Sequence, residues 1–462
     1  MNRLRVLLTA AGLLVIAGVA AAQAPTAAQR PPPDLSPRLN RAADRIASIN
    51  AQADRISDYD ALRNLQEIYG FYFDKALWDQ VIDLFAEDAI VEVAQQGQYV
   101  GKASIRKYFY GLNGGKQGLS YGQLNNQYQL SPLITLAADG RSARARWRTL
   151  IQDGQFKQSA NWGSGVYENE YVKQDGVWKI SHLHLFIRFY APYEGGWTRT
   201  TPALNARYGK STAKSDRPPS VKYAWPADGA APMHFESPAR PGYRLAPEDS
   251  ATAAPLAAGA TRTVTDLEAQ VRALELKLER LRAASDVENL ESTYGYYADK
   301  SMQDAISALF AQNSTLEILG RGVFIGRDRV YEYMRRLGAP TNGTLFNHMQ
   351  LQPVVTISPD GNSASIRARL VVMFGQLNSS AQIAEGTYEN RFVKENGVWK
   401  YQSLAGFQTF YTDYEQGWGK HSAAMLSYFP GYPPDLPQSV NYSPYPEVFV
   451  PPFHYKNPVS GK

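Results

Sequence analysis

The spacing of apolar residues changes from helical to strand-like along the chain. Over residues 60–86 they recur at three- and four-residue steps, with a break at 74–78 that predicts two helices or one bent helix. A short third helix follows Gly101. The pattern then alternates with period two between turn signals such as Asp175-Gly176, which predicts antiparallel strands. Helices followed by a run of strands indicate an α+β fold.

The whole pattern occurs twice, because the chain contains an internal repeat. The matching segments come in the same order in both copies and share aromatic, glycine and acidic positions. They are 68–75 (IYGFYFDK) with 293–300 (TYGYYADK), 165–169 (GVYEN) with 386–390 (GTYEN), and 176–179 (GVWK) with 397–400 (GVWK).

The repeat extends beyond these segments at both ends. Apolar residues over 39–56 and 267–281 recur at alternating three- and four-residue steps, which predicts a helix with an apolar seam in each copy. Either the helix of the other copy or the domain of the same copy would bury each seam. Downstream, PMHF at 232–235 resembles PFHY at 452–455. We therefore expect the Pro-rich tails to belong to the units and to pack on them rather than act as lids.

The N-terminus predicts export. Two arginines, Arg3 and Arg5, precede an apolar stretch and three alanines, as in a cleaved secretory signal peptide; an uncleaved anchor is the alternative. We expect a periplasmic or secreted protein with no membrane contact after cleavage. The predicted boundaries are 1–24 for the signal peptide, 25–37 for a linker, 38–244 for the first unit with its Pro-rich extension, 245–262 for a second linker, and 263–462 for the second unit with its extension.

Composition narrows the classes of function. The chain has no cysteine, which excludes disulfides and thiolate chemistry. Its 48 basic and 43 acidic residues form no long basic run, so we predict no nucleic-acid partner. The 29 Tyr, 18 Phe and 8 Trp residues indicate either aromatic packing or pockets for flat apolar ligands.

The order of these motifs resembles the SnoaL-like family of the NTF2-like superfamily, which includes scytalone dehydratase and ketosteroid isomerase-like proteins. The resemblance covers about 60–200 and 285–420. It rests on a tyrosine-containing helix that ends near an aspartate, a Leu-Phe-Ala segment, and a closing Gly-x-Trp-Lys hairpin. It implies two tandem α+β cones, each a curved antiparallel sheet on helices around a pocket for a hydrophobic small molecule. Two fused units imply a pseudo-dimeric monomer or a homodimer.

The resemblance also implies pocket residues in the second unit. It places Tyr294, Asp299 and His348 as catalytic residues, with Tyr297 and Asn347 binding substrate. An imidazole exchanges protons near neutral pH, an adjacent carboxylate fixes its tautomer, and a phenol stabilises developing negative charge. This set needs no cofactor and no metal. The structural alternatives are a capping or ion-paired aspartate and a hydrogen-bonded core histidine.

The first unit departs from this pattern at one position. It retains Tyr69, Tyr72 and Asp74, which we predict to bind ligand. Gln127, however, stands where the second unit has His348. The first unit is therefore predicted to be degenerate or differently specialised.

Two further histidines occur only in the first unit. His182 and His184 alternate on a predicted strand and share a face, so we include them as ligand-binding candidates. With Asp74 they could form a dyad, or they could supply half of a metal site. Because no third ligand has a characteristic spacing, we predict no metal and favour polar residues on an exposed face. Arg367 and Arg369 also alternate on a strand and are expected to face solvent.

The leading functional hypothesis is a cofactor-independent lyase or isomerase of the dehydratase type. It would perform elimination, decarboxylation or proton-shift chemistry on a hydrophobic, aromatic or polycyclic molecule in the second unit. The alternative is a non-catalytic periplasmic binding or scaffolding protein that uses the same pockets. The environment of His348 distinguishes the two, because an enzyme needs a deep pocket beside the imidazole.

Overall fold

The computed structural model describes residues 36–221, 231–235, 239 and 263–462. The predicted signal peptide and both predicted linkers lie outside these residues, apart from positions 36 and 37. No helix within the described ranges is long and apolar enough to cross a membrane.

The first unit begins with helices and continues with strands. The break predicted at 74–78 is a turn between two helices, in which Ala76 has a positive φ of 52°. The elements are α1 (Ser36–Asp74), α2 (Trp78–Asp83), β1 (Phe85–Val93), β2 (Gln98–Val100), α3 (Gly101–Leu112), β3 (Gln123–Gln127), β4 (Leu130–Leu136), β5 (Ser142–Gln155), β6 (Ser159–Gln174), β7 (Val177–Pro192), a 3-10 turn (Gly196–Arg199) and α4 (Pro202–Asn205).

The second unit repeats this order. Its first helix begins with a capping box in which Thr263 and Asp266 hydrogen-bond each other's backbone amides. The elements are α5 (Val264–Asp299), α6 (Gln303–Ala308), β8 (Phe310–Ile318), β9 (Val323–Ile325), α7 (Arg327–Arg336), β10 (Thr344–Ile357), β11 (Ser363–Gln376), β12 (Ser380–Glu395) and β13 (Val398–Asp413).

Each unit contains one curved sheet packed on its helices. The strand order is β2-β1-β7-β6-β5-β3 in the first unit, with β4 also paired to β5, and β9-β8-β13-β12-β11-β10 in the second. The pairs β1–β7 and β8–β13 are parallel, and the other named pairs are antiparallel. One face of β7 contributes Leu183 and Leu185 to the core. This architecture confirms the predicted pair of tandem α+β cones.

The two predicted apolar seams pack against each other. Ile49 and Ala53 of α1 form a buried cluster with Leu274 of α5. Leu278 and Leu281 of α5 also pack against this cluster. Of the two alternatives for burying the seams, the structure therefore shows the helix of the other copy.

Contacts between equivalent residues relate the two units. Arg63 of α1 forms an ion pair with Glu288 of α5, its counterpart in the second copy. The Tyr193 hydroxyl donates to the backbone oxygen of its counterpart Tyr414. The symmetry is only approximate, because Trp418 is fully buried whereas the matching Trp197 is 65% exposed. Within the chain, the copies therefore pack as an asymmetric pair.

The Pro-rich tails pack on the sheet faces opposite the cores. In each unit an Arg and a Glu on neighbouring strands form an ion pair, and a tail histidine hydrogen-bonds through Nδ1 to the same Glu at 2.8 Å. The Arg also donates to a tail proline carbonyl oxygen. The groups are Arg146, Glu168 and His234 in the first unit and Arg367, Glu389 and His454 in the second. This repeated arrangement supports packing rather than a lid.

The prediction that Arg367 and Arg369 face solvent is wrong, because the first unit covers their side of the sheet. Each is 1% exposed. Arg369 forms an ion pair with Asp74 of α1, and its Nη1 lies 2.8 Å from Glu385 Oε1. The ring of Phe71 packs against both guanidinium groups, at 4.7 and 5.2 Å. A buried ionic contact therefore joins the two units.

Candidate functional site

The second unit encloses an apolar cavity of about 260 Å³. Helices α5, α6 and α7 and strands β8 and β10–β13 contribute to its walls. Most of the lining side chains are aliphatic or aromatic, including Ile306, Met334, Phe346, Leu370, Val372 and Phe374. Such walls favour an apolar ligand over water, because water gains few hydrogen bonds there.

His348 is the titratable imidazole in the wall of this cavity. Its Nδ1 lies 2.8 Å from the side-chain nitrogen of Gln350, and its Nε2 lies 3.1 Å from the Tyr388 hydroxyl. The ring of Tyr294 packs edge-on against the imidazole, with centroids 5.5 Å apart. Burial lowers the pKa of His348 to about 4. The imidazole is therefore neutral near pH 7.

Gln350 has the tautomer-fixing role that was predicted for a carboxylate. With its amide nitrogen donating to Nδ1, the neutral ring of His348 carries its proton on Nε2 and donates it to the Tyr388 oxygen. The Tyr388 hydroxyl also hydrogen-bonds to Tyr294, so its hydrogen reaches a ligand when it leaves that bond. Helix α5 lies close at this point: a Cβ on Gly295 would be 2.7 Å from the His348 carbonyl oxygen. A side chain at position 295 would collide with β10, which explains why a glycine follows Tyr294.

The structure brings two of the three predicted catalytic residues together at the cavity. Tyr294 and His348 line it, whereas Asp299 accepts a hydrogen bond from the His348 backbone nitrogen at 2.6 Å. As the last residue of α5, Asp299 reaches the β10 backbone and positions the strand. Tyr297 is half-buried against the core. Asn347 alternates with His348 and points to the opposite face of β10.

The first unit encloses a larger and more polar cavity, of about 580 Å³. Tyr69 lines it, and Gln127 occupies the position of His348. The side-chain nitrogen of Gln127 donates to the Tyr208 hydroxyl at 2.8 Å. The two cones therefore have the same scaffold and different wall chemistry.

Two predicted ligand-binding residues of the first unit face the second unit instead. Tyr72 packs on Phe453 of the C-terminal tail, with ring centroids 5.2 Å apart. Asp74 pairs with Arg369, and its Oδ1 accepts a hydrogen bond from the Gln127 backbone nitrogen at 2.7 Å. The aspartates of both motifs thus hold a strand backbone, and Asp74 also contacts the other unit.

His182 and His184 share a face of β7, as predicted, on the side away from the cavity. Glu92 on β1 joins them: its Oε1 is 3.5 Å from His184 Nε2, and the three residues offer ligand atoms within 4.8 Å of one another. His184 is only 7% exposed, and burial lowers its pKa to about 4. The expectation of an exposed face therefore fails for His184. The sequence missed Glu92 because β1 and β7 become neighbours only in the fold.

The carboxylate of Glu92 has a structural role that recurs in the second unit. It accepts a hydrogen bond from the Ser220 backbone nitrogen at 2.7 Å. Glu317 accepts one from the Ser439 backbone nitrogen at 2.8 Å, although no histidine stands at the matching positions of β13. Both carboxylates therefore anchor a tail, and this accounts for Glu92 without a metal ion.

Sequence reasoning also missed Tyr388 and Gln350. Each has an identical counterpart in the first unit, Tyr167 and Gln129. This identity between the copies is the sequence feature that could have identified them. They could not be assigned to a site, because strand positions alone do not show which side chains converge on one imidazole.

Residues 54–184 and 279–405 match the family model described as a SnoaL-like domain. These two ranges cover more than half of the chain, so the chain belongs to the SnoaL-like family and contains two tandem copies of its domain. The resemblance inferred from the motifs is confirmed.

Several solved structures are similar to the chain over the length of one unit. A putative scytalone dehydratase from Novosphingobium aromaticivorans is 20% identical, covers 32% of this chain and 95% of its own, and has a TM-score of 0.27. The hexachlorocyclohexane dehydrochlorinase LinA-type3 from Novosphingobium barchaimii is 15% identical, with coverages of 29% and 92% and a TM-score of 0.27. ActVI-ORFA from Streptomyces coelicolor is 10% identical, with coverages of 27% and 95% and a TM-score of 0.25. No curated protein matches the sequence.

Proposed function

We propose that the protein is a cofactor-free lyase or isomerase that acts on a hydrophobic, aromatic or polycyclic small molecule in its second cone. The observation that carries this proposal is the neutral His348 imidazole in the wall of an apolar cavity, hydrogen-bonded to Tyr388. Membership of the SnoaL-like family supports isomerase- or lyase-type chemistry.

The geometry supplies the two functions that such a reaction needs. The Tyr388 hydroxyl can donate a hydrogen bond to a carbonyl or leaving oxygen as negative charge develops there. His348 can act as the base when the Gln350 amide turns so that its oxygen accepts from a protonated Nδ1: Nε2 is then unprotonated and can take a proton from the ligand through Tyr388, and later return it. The apolar walls strengthen both interactions because they exclude water. Elimination, allylic proton shift and decarboxylation all balance with proton transfers alone.

A binding protein without turnover is the second candidate. The observation in its favour is the position of Asp299, which bonds to the strand backbone rather than to the imidazole. Within the described residues, no carboxylate hydrogen-bonds to the His348 ring, so an imidazolium formed during turnover would lack a negative partner.

An activity screen separates the candidates. The wild-type protein is tested against aromatic diols, carboxylates and enones in chelator-treated buffer without added cofactor. We expect turnover of one class, lost in His348→Ala and reduced in Tyr388→Phe, and retained in the matched first-unit control Tyr167→Phe. Turnover that survives in His348→Ala refutes the proposed site. Tight binding of an apolar ligand without turnover selects the binding protein.

We also propose that the protein works in the periplasm or is secreted. The basic, apolar and small-residue segments at the N-terminus support this. Cell fractionation is expected to recover a shortened chain outside the cytoplasm. Recovery of the full-length chain in the cytoplasmic fraction would contradict the proposal.

A further inference from the structure

One position changes the character of the first cone. The second unit has Phe374, whose ring packs against Tyr411 with centroids 5.0 Å apart. The first unit has Asp153 at the matching position of β5, and the hydroxyl of Tyr190, the counterpart of Tyr411, donates to its two carboxylate oxygens at 2.7 and 2.9 Å. An aromatic contact has thus become a carboxylate–phenol pair in the cavity wall.

The carboxylate of Asp153 is held without a cation. Its Oδ1 also accepts a hydrogen bond from the Asn161 side chain at 2.9 Å, and no ion pair with it is found in the described part of the chain. Asp153 is half-buried because it faces the cavity, and burial raises its pKa to about 6. Near pH 7 it is mostly ionised, and it is a strong hydrogen-bond acceptor.

A second acceptor in the same wall has no partner. Gln127 is 1% exposed, and among the described residues its Oε1 makes no hydrogen bond. The oxygen is fixed in place, because the amide nitrogen donates to Tyr208. The Tyr208 hydroxyl, having accepted this bond, still has its own hydrogen to donate. A buried acceptor without a partner costs free energy until a donor binds to it.

Two cations lie at the wall of this cavity near Tyr208. Arg207 and Lys210 follow α4, and both side chains are exposed. Neither forms an ion pair with a carboxylate in the ranges that the structure describes. They can therefore bind an anionic group on a ligand whose other end reaches the polar wall.

We propose that the first cone is a ligand site of its own, for a small polyhydroxylated organic anion of the sugar-acid type. Asp153 and the Gln127 oxygen accept hydrogen bonds from ligand hydroxyls, Tyr208 donates one, and Arg207 and Lys210 bind the carboxylate. A cavity of about 580 Å³ has room for such a molecule. An apolar ligand would leave these polar atoms unpaired.

Calorimetric titration of the purified protein tests the proposal. The probes are D-gluconate and D-glucuronate, with D-glucitol lacking the carboxylate and hexanoate lacking the hydroxyls. We expect one of the two sugar acids to bind with a Kd below about 1 mM, and both controls to bind at least about tenfold more weakly. Failure of both sugar acids to bind at about 10 mM, or hexanoate binding as tightly, overturns the proposal.

Variants locate the site. Asp153→Phe, which copies the second unit, and Gln127→Leu should each weaken binding at least about tenfold, because each removes an acceptor. Thermal denaturation verifies that each variant folds, and Tyr208→Phe replaces Asp153→Phe if the latter does not. His348→Ala should bind the sugar acid as the wild type does. Loss of binding in His348→Ala would place the ligand in the second cone and overturn the assignment. Sugar-acid binding is measured independently of the activity screen, so a screen without turnover does not change its outcome.

Discussion

Arg63 and Glu288 occupy equivalent positions in the two copies and form an ion pair with each other. In a homodimer of identical units, a residue that meets its own counterpart meets an identical side chain, so this position would pair Arg with Arg or Glu with Glu. The single chain allows opposite charges there. The contact between the copies has therefore diverged in a way that a homodimer could not.

This pair gives a stability prediction. Arg63→Ala should lower the free energy of unfolding by about 1–3 kcal/mol, and more than Glu288→Ala does, because Arg63 also offsets the charges of Asp60 and the buried Glu67. Urea denaturation of the two single variants and of the double variant Arg63→Ala/Glu288→Ala measures this. A loss in the double variant equal to the sum of the two single losses would show that the pair contributes nothing.

The buried pair of Asp74 and Arg369 should contribute more. Asp74→Asn leaves the fully buried Arg369 with Glu385 alone, so we expect a loss of about 2–4 kcal/mol. Asp299→Asn is the matched control, because Asp299 makes the same bond to a strand backbone and forms no ion pair within the residues that the structure describes. Its loss should stay below about 1 kcal/mol. Equal losses in chemical denaturation would contradict a role for Asp74 in joining the units.

The buried carboxyl group of Glu291 makes the stability of the folded protein depend on pH. It accepts hydrogen bonds from Asn390 and Tyr401, and burial raises its pKa to about 7 from 4.5. Because the folded state holds this proton more tightly than the unfolded state, stability falls as the pH rises from 4.5 through about 7. The first unit has Gln66 here, which accepts from an Asn and a Tyr in the same way.

Glu291→Gln should therefore stabilise the protein by about 1–3 kcal/mol at pH 8 and much less at pH 5. Urea denaturation at the two pH values measures the difference between variant and wild type. A difference that does not grow with pH would mean that Glu291 titrates normally in the folded protein.

The asymmetry of the two copies predicts unequal effects at matching tryptophans. Trp418 packs against Trp162 and Tyr193 and donates to the Asp153 backbone oxygen at 2.9 Å. Trp418→Ala should cost about 3–5 kcal/mol, whereas Trp197→Ala should stay within about 0.5 kcal/mol because that side chain is largely exposed. Similar shifts in the melting temperature of the two variants would argue against this asymmetry.

The sequence predicted the repeat, the cones and the helical seams because each depends on local periodicity or on identity between copies. It could not orient Asp299, because the last turn of a helix points a side chain according to the strand that packs beside it. It also missed the proximity of Glu92 to His184, which depends on the pairing of β1 with β7.

Of the two residue exchanges that distinguish the cavity walls of the two cones, only one was recognised from the sequence. The exchange of His348 for Gln127 stood out because it interrupts a matched segment. The exchange of Phe374 for Asp153 did not, because neither residue belongs to a motif and only the closed sheet shows that both face a cavity. The side chains that line each cavity could therefore be identified only from the three-dimensional structure.

The central claim is that His348 transfers a proton in the second cone. The most direct test is the kcat of His348→Gln, which places the glutamine of the first unit at this position, on the substrate found in the screen. We predict a fall of about 100-fold or more in kcat with KM changed less than about threefold, since general acid–base catalysis is lost while the apolar walls remain. An unchanged kcat would contradict the claim.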